Sequence, residues 1–187
     1  MKNNILIIYK SSTGFTKKYA EIISSELNCT LATYKNITPE IIQKYNTIVF
    51  GSRAHAGTID GYKKIKKMLG NYPYCKFILF VTGATPSSAK DVINEFWQQN
   101  LTPAELAKIP HFYMPGGLCY EKMSLIDKIM MKGLAVMLKK KKDKNSYEKE
   151  LENAIKNSYD ISSGKYATPL ISFLKSTGNN KTTNPFP

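Results

Sequence analysis

Short apolar, β-rich runs alternate along this chain with segments of helical period, and that alternation limits the folds open to it more than any other feature. The runs at residues 5–9, 30–34, 47–50, 77–81 and 111–114 read as five strands. The first, third and fourth are apolar enough to be covered on both faces, as in a parallel sheet built from successive βα units. Between the runs, residues 16–27 carry Tyr19, Ile23 and Leu27 on one stripe, and residues 62–69 carry Tyr62, Ile65 and Leu69 on another. Helix starts are marked by Thr38-Pro39-Glu40 and by Ser88-Ala89-Lys90-Asp91, the latter resembling a capping box. Val92, Ile93, Phe96 and Trp97 fall on one helical face, so the tryptophan reads as core packing. The pattern predicts an α/β class with helices on both faces of one sheet.

The 187 residues suit a single domain, expected over residues 1–175, with a basic amphipathic insertion at about 118–144 and a polar, poorly ordered tail at 176–187. Lys and Arg number 27 against 14 acids, a net charge of +13, which favours anionic ligands or surfaces. Cys29, Cys75 and Cys119 are widely spaced and lack zinc-site spacing, so they read as reduced cytosolic thiols. The apolar start at residues 5–9 is too short for a signal-peptide core, and Asp127, Lys128 and Lys132 interrupt the apolar stretch at 125–138, so integral membrane insertion is not expected. The expected location is cytoplasmic.

The clearest site signal follows the first strand: Ser11-Ser12-Thr13-Gly14-Phe15-Thr16, opening directly into a helix. Such a turn offers backbone N–H and hydroxyl groups at the positive end of the helix dipole, which suits a phosphate. Taken alone, an STG triplet is better read as a capped βα turn, and it is the two further loops that favour a ligand. No lysine follows in the GxxxxGK[ST] arrangement and no GxGxxG is present, so a phosphate would be held there without transfer. In an open α/β sheet the loops after the third and fourth strands line the same site. Here those are Gly51-Ser52-Arg53-Ala54-His55-Ala56-Gly57-Thr58 and Thr82-Gly83-Ala84-Thr85-Pro86, small residues that admit a flat ligand. HExxH and GxSxG motifs and a close acid pair are missing, which leaves hydrolysis without a carrier.

On these residues the chain resembles the flavodoxin family over about residues 5–157, with Ser11-Ser12-Thr13-Gly14-Phe15-Thr16 matching its T/S-x-T-G-x-T loop. The resemblance implies a three-layer flavodoxin-like sandwich with a five-stranded parallel sheet of order 2-1-3-4-5 and a non-covalent FMN. Its phosphate would lie on residues 11–16, and its isoalloxazine against Ser52, Arg53, Ala54, His55, Ala56 and Gly57 and against Thr82, Gly83, Ala84 and Thr85. The third loop departs from the family by offering Ala54, His55 and Ala56 where an aromatic residue is common. By the same resemblance His55 contacts the flavin and Arg53 favours its anionic reduced form, each against the plainer alternative of an exposed side chain; His111 reads as structural. No side chain is expected to act as acid or nucleophile.

Residues 112–120, Lys122 and residues 124–132 further resemble flavodoxin-domain proteins related to menaquinone-dependent protoporphyrinogen oxidase. That likeness implies an FMN-dependent oxidoreductase with a quinone acceptor. A soluble electron carrier serving a redox partner protein, and a flavin-free module binding an anionic surface or a protein, are the alternatives. Carriers of this family are typically acidic, whereas +13 calls for acidic partners. From residue 122 to 144 lysines outnumber acids, around a stripe of Leu125, Ile126, Ile129, Met130 and Leu134. This basic helix is expected to pack its stripe on the domain, with peripheral contact to an anionic membrane, at the inner face, compatible with that packing. Nucleic-acid binding is not expected, because no recognition motif accompanies the lysines.

Overall fold

The computed structural model describes residues 4–70, 72 and 74–179. Five strands, β1 (Ile5–Tyr9), β2 (Thr30–Thr33), β3 (Thr47–His55), β5 (Lys76–Gly83) and β6 (His111–Pro115), pair in parallel in the order β2-β1-β3-β5-β6. This is the order expected from the sequence. A short strand, β4 (Thr58–Ile59), folds back antiparallel on β3, pairing His55 with Thr58. The turn between them is Ala56-Gly57, both at positive φ (47° and 75°), as a type I′ hairpin requires.

Period-two alternation divides the core between the sheet faces. Leu6, Ile8, Ile48, Phe50, Leu79 and Val81 face one side and meet Ile42 of α2 (Pro39–Ile42), Ile65 of α3 (Tyr62–Leu69) and Trp97 of α4 (Lys90–Asn100). Ile5, Ile7, Val49, Ile78 and Phe80 face the other and meet Tyr19 and Ile23 of α1 (Phe15–Leu27). Each fully buried aliphatic side chain contributes about 1.5–3 kcal/mol, so the three central strands carry most of the apolar stabilisation. Trp97 is core, as its spacing indicated, and the His111 ring lies tilted against it, with Nδ1 2.7 Å from the Ile109 carbonyl.

Several boundaries differ from the sequence reading. β3 and β5 run past residues 50 and 81 because each continues pairing with the other, Ser52 with Val81 and Arg53 with Thr82. The capping box expected at residues 88–91 does not form: Ala89 is the N-cap of α4, with no side-chain cap. One forms instead at Thr102 and Glu105, starting α5 (Pro103–Lys108). After β6 the chain forms β7 (Gly117–Leu118), α6 (Leu125–Lys140), α7 (Ser146–Ala154) and β8 (Tyr159–Asp160), with β7 and β8 paired antiparallel. The tail expected from Ser176 is helical to Asn179 as the end of α8 (Thr168–Asn179), because Leu170 and Leu174 bury against α1; residues 180–187 lie outside the described residues. The stripe expected to pack inward on α6 is largely reversed. Leu125, Ile126 and Ile129 are 79%, 70% and 68% exposed, while Leu138 is buried with Met131 and Leu134 beside it.

Candidate functional site

The carboxyl ends of β1, β3, β5 and β6 open into a cavity of about 150 Å³. Its walls are the turn after β1 (Ser12, Thr13, Phe15), the β3–β4 hairpin (Arg53 to Ala56), the end of β5 (Thr82 to Ala84) and the Gly116-Gly117-Leu118 turn. Asp127, Met130 and Met131 of α6 and the preceding Met123 cover it. A second cavity of about 430 Å³ shares Thr13, Phe15 and Leu118 as a wall and is edged by Lys18, Lys122 and Asp160. Lys18 is held there, with Nζ 3.5 Å from Asp160 and donating to Ser162 at 2.8 Å.

The turn after β1 is shaped by glycine. Gly14 is the N-cap of α1 at φ +104°, a conformation that strains any residue with a Cβ, and the space a Cβ would enter is open. The Gly14 N–H donates to Ser11 Oγ at 3.2 Å, closing the turn. No side chain caps α1 and its first turn holds no acid. Its leading N–H groups therefore face the cavities with the dipole's positive end unneutralised, the arrangement that binds phosphate or another anion.

Beneath this turn the hydroxyls are already engaged. Thr16 and Thr82, 1% and 3% exposed, bond to each other at 2.7 Å, and Thr82 donates to the Ser52 carbonyl at 3.4 Å. Ser52 is fully buried and donates to the Asp60 carbonyl at 2.5 Å. This ladder fastens α1, β3 and β5 together at the cavity floor. On one flank Asp127 accepts from Arg53 Nη1 at 3.0 Å and lies 2.7 Å from His55 Nε2, while Arg53 Nε also donates to Asp60 at 3.3 Å. Lys10 completes the chain on Asp60 at 2.6 Å. Burial raises the Asp127 carboxyl, but hydrogen bonds from His55 and Arg53 outweigh it and hold the group below the ordinary carboxylate range. Asp60 is lowered in the same way, burial being outweighed by Lys10 and Arg53.

Most of the residues read from the sequence as a site converge here, in differing roles. Ser12, Thr13, Phe15, Arg53, Ala54, His55, Ala56, Gly83 and Ala84 line the first cavity, and Gly14 lines the second. Thr16 and Thr82 also line the first cavity, with their hydroxyls spent on each other. Ser52 lies beneath the floor, and Ser11, Gly57 and Thr85 stand outside the lining. Thr85 instead turns towards Tyr113 and Tyr147, its N–H donating to the Tyr113 hydroxyl at 3.1 Å. Arg53 is thus a paired cation and His55 a pinned ring, which corrects the alternative of two exposed side chains. Sequence reasoning missed Gly116, Gly117, Leu118 and the α6 cover. The Pro115-Gly116-Gly117 triplet marked a turn, but nothing local to Asp127 indicated that it would meet residues 53 and 55.

Residues 6–145 match the family model of the flavodoxin domain. Among solved structures, the chain is similar to a flavodoxin, WrbA-like protein from Agrobacterium tumefaciens, with 16% identity, 93% of this chain and 98% of that one covered, and a TM-score of 0.44. It is similar to a flavo di-iron protein from Thermotoga maritima, with 11% identity, 96% and 37% covered, and a TM-score of 0.49. A flavoprotein from Lactobacillus acidophilus, solved in complex with FMN, shares 20% identity over 60% of this chain and 92% of that one, with a TM-score of 0.38. No curated protein is similar enough to the chain to match it.

Proposed function

The chain belongs to the flavodoxin domain family, and on that premise we propose that it binds FMN non-covalently and transfers electrons through it. The observation that carries this reading is the uncapped, acid-free N-terminus of α1, opening at Thr13 and Gly14 beside a cavity at the carboxyl ends of the central strands. When bound, the flavin supplies the electron chemistry. The N–H groups at the start of α1 hold the phosphate. Ala54, Ala56, Gly83 and Ala84 are small enough to let backbone approach a planar ring system, and Met123, Met130 and Met131 give it an apolar cover that limits water. Asp127 keeps the Arg53 guanidinium and the His55 ring at the edge of the cavity, so the charge there is a paired one.

The finer reading is an oxidoreductase of the protoporphyrinogen-oxidase type that passes electrons to a quinone. It is supported by the basic, apolar segment after β6, which is the part of the chain that roofs the cavity. The carrier reading would need acidic redox partners, given the charge of +13. The test is an absorption spectrum of purified protein, before and after FMN addition and gel filtration. Retained flavin bands are expected, and a colourless protein that rejects FMN would overturn the proposal. For the finer reading, porphyrinogen should reduce the bound flavin anaerobically and a menaquinone analogue should reoxidise it. Failure of both leaves the carrier.

A further inference from the structure

Helix α6 has 16 residues and a length of about 24 Å. Its inner side is occupied: Asp127 is tied to Arg53 and His55, and Leu138 is buried in a small cluster with Met131 and Leu134. Its outer side is apolar as well. Leu125, Ile126, Ile129, Val136 and Met137 are 79%, 70%, 68%, 53% and 59% exposed and share one side of the helix at 3.6 residues per turn. Soluble monomers seldom present so continuous an apolar strip unless it meets a partner.

The charges around the strip indicate which partner. Lys128, Lys132 and Lys139 run along one edge, and Lys140 and Lys142 stand at its carboxyl end. Lys141 and Lys144 are engaged by Glu148 and Glu152. The acid within the helix, Asp127, is turned inward, so the outer side holds no negative charge. Association of two copies through this strip would bring lysine-edged helices together on chains each carrying +13. An apolar strip with a cationic margin is instead complementary to an anionic bilayer surface, with hydrocarbon beneath the headgroup charge.

We propose that the outer side of α6 docks on anionic lipid bilayers, burying Leu125, Ile126, Ile129, Val136 and Met137 in the interface while the marginal lysines meet lipid phosphates. Met130 is 38% exposed and belongs both to this side of the helix and to the cavity wall, so docking turns the cavity mouth towards the lipid. An apolar electron partner dissolved in the bilayer would then reach the site directly. That consequence rests on the electron-transfer reading, whereas the docking does not.

The test is co-sedimentation of the full chain with phosphatidylglycerol-containing vesicles and with neutral phosphatidylcholine vesicles, with and without added FMN. Binding to the anionic vesicles is expected, weakened by salt and at least about tenfold poorer with neutral ones. The exposed double substitution Ile126→Asp/Ile129→Asp should lower affinity by about tenfold or more with the circular dichroism spectrum unchanged. Lys132→Glu/Lys139→Glu should lower it by a similar factor. Three results overturn the proposal: wild-type protein that stays in the supernatant, binding that the aspartate pair leaves intact, or a dimer in sedimentation velocity that the aspartate pair makes monomeric. Binding that survives without flavin separates this outcome from failure of the cofactor reading.

Discussion

Replacing Asp127 by Asn preserves the shape of the link between α6 and the β3–β4 hairpin while removing its charge. The carboxylate receives the Arg53 guanidinium at 3.0 Å and meets His55 Nε2 at 2.7 Å. Hydrogen bonds to charged groups contribute about 1.5–3 kcal/mol each. Two considerations lower their sum. Arg53 and His55 keep 22% and 32% exposure, so water screens both, and Arg53 retains Asp60 at 3.3 Å after the change. One adds to it: Asp127 sits in the first turn of α6, where a negative charge stabilises the helix by about 0.3–1 kcal/mol. The expected loss is about 2–3 kcal/mol, or roughly 4–12 °C in Tm for a chain of this size.

The pH dependence gives a second check with a definite sign. The folded-state pKa of Asp127 lies below the ordinary 3.8, so its contribution is fully present above that value and is lost as pH falls through the lower, folded one. Urea unfolding of wild type and Asp127→Asn should therefore show a wide stability gap at neutral pH that narrows in acid. The coupling to His55, measured with His55→Ala and the double variant, should exceed about 1 kcal/mol. A gap below about 0.5 kcal/mol at neutral pH, or one that persists unchanged in acid, refutes the argument that this carboxylate clamps the cavity cover.

Gly117→Ala should lower Tm by about 5 °C or more, because at φ +148° a Cβ there would lie 2.0 Å from the Tyr159 carbonyl oxygen and push β7 from β8; unchanged thermal unfolding would contradict that packing. Ala56→Asn should stabilise the protein by about 0.5–1 kcal/mol in urea melts, since Asn tolerates the φ of +47° that Ala56 holds at the hairpin turn. At Glu105 burial acts to raise the pKa, but Lys66, Thr102 and Tyr62 outweigh it and bring the group from 4.5 down to about 2. Its contribution is thus present above pH 4.5 and disappears towards pH 2, and Glu105→Gln should flatten the stability profile across that interval. Loss of the wild-type slope in the variant is the readout.

The repeating βα pattern was legible because parallel, doubly covered strands need continuous apolar runs, and residues 5–9, 47–50 and 77–81 supply them. The turn at Ser11 to Thr16 was legible too, since a hydroxyl-rich strand-to-helix turn around one glycine is a local device. Two-residue strands such as β7 and β8 leave no periodic trace, and their pairing depends on a carbonyl more than 40 residues away. The orientation of α6 was misread for a related reason. That helix is apolar on both sides, so periodicity had no contrast to report, and the choice of inner side fell to Asp127, Met131 and Leu138.

By itself, then, the sequence determined the α/β class and the position of the glycine turn at Ser11 to Thr16, because both follow from short-range spacing, while the order of the five parallel strands came with the family resemblance that those residues carry. Only the tertiary structure decided that Arg53 and His55 are joined through Asp127, that Thr16 and Thr82 satisfy each other, and that an apolar strip of α6 faces outward. Those outcomes arise where groups distant in sequence compete for the same partner, and that competition is resolved by distance and burial in the folded chain.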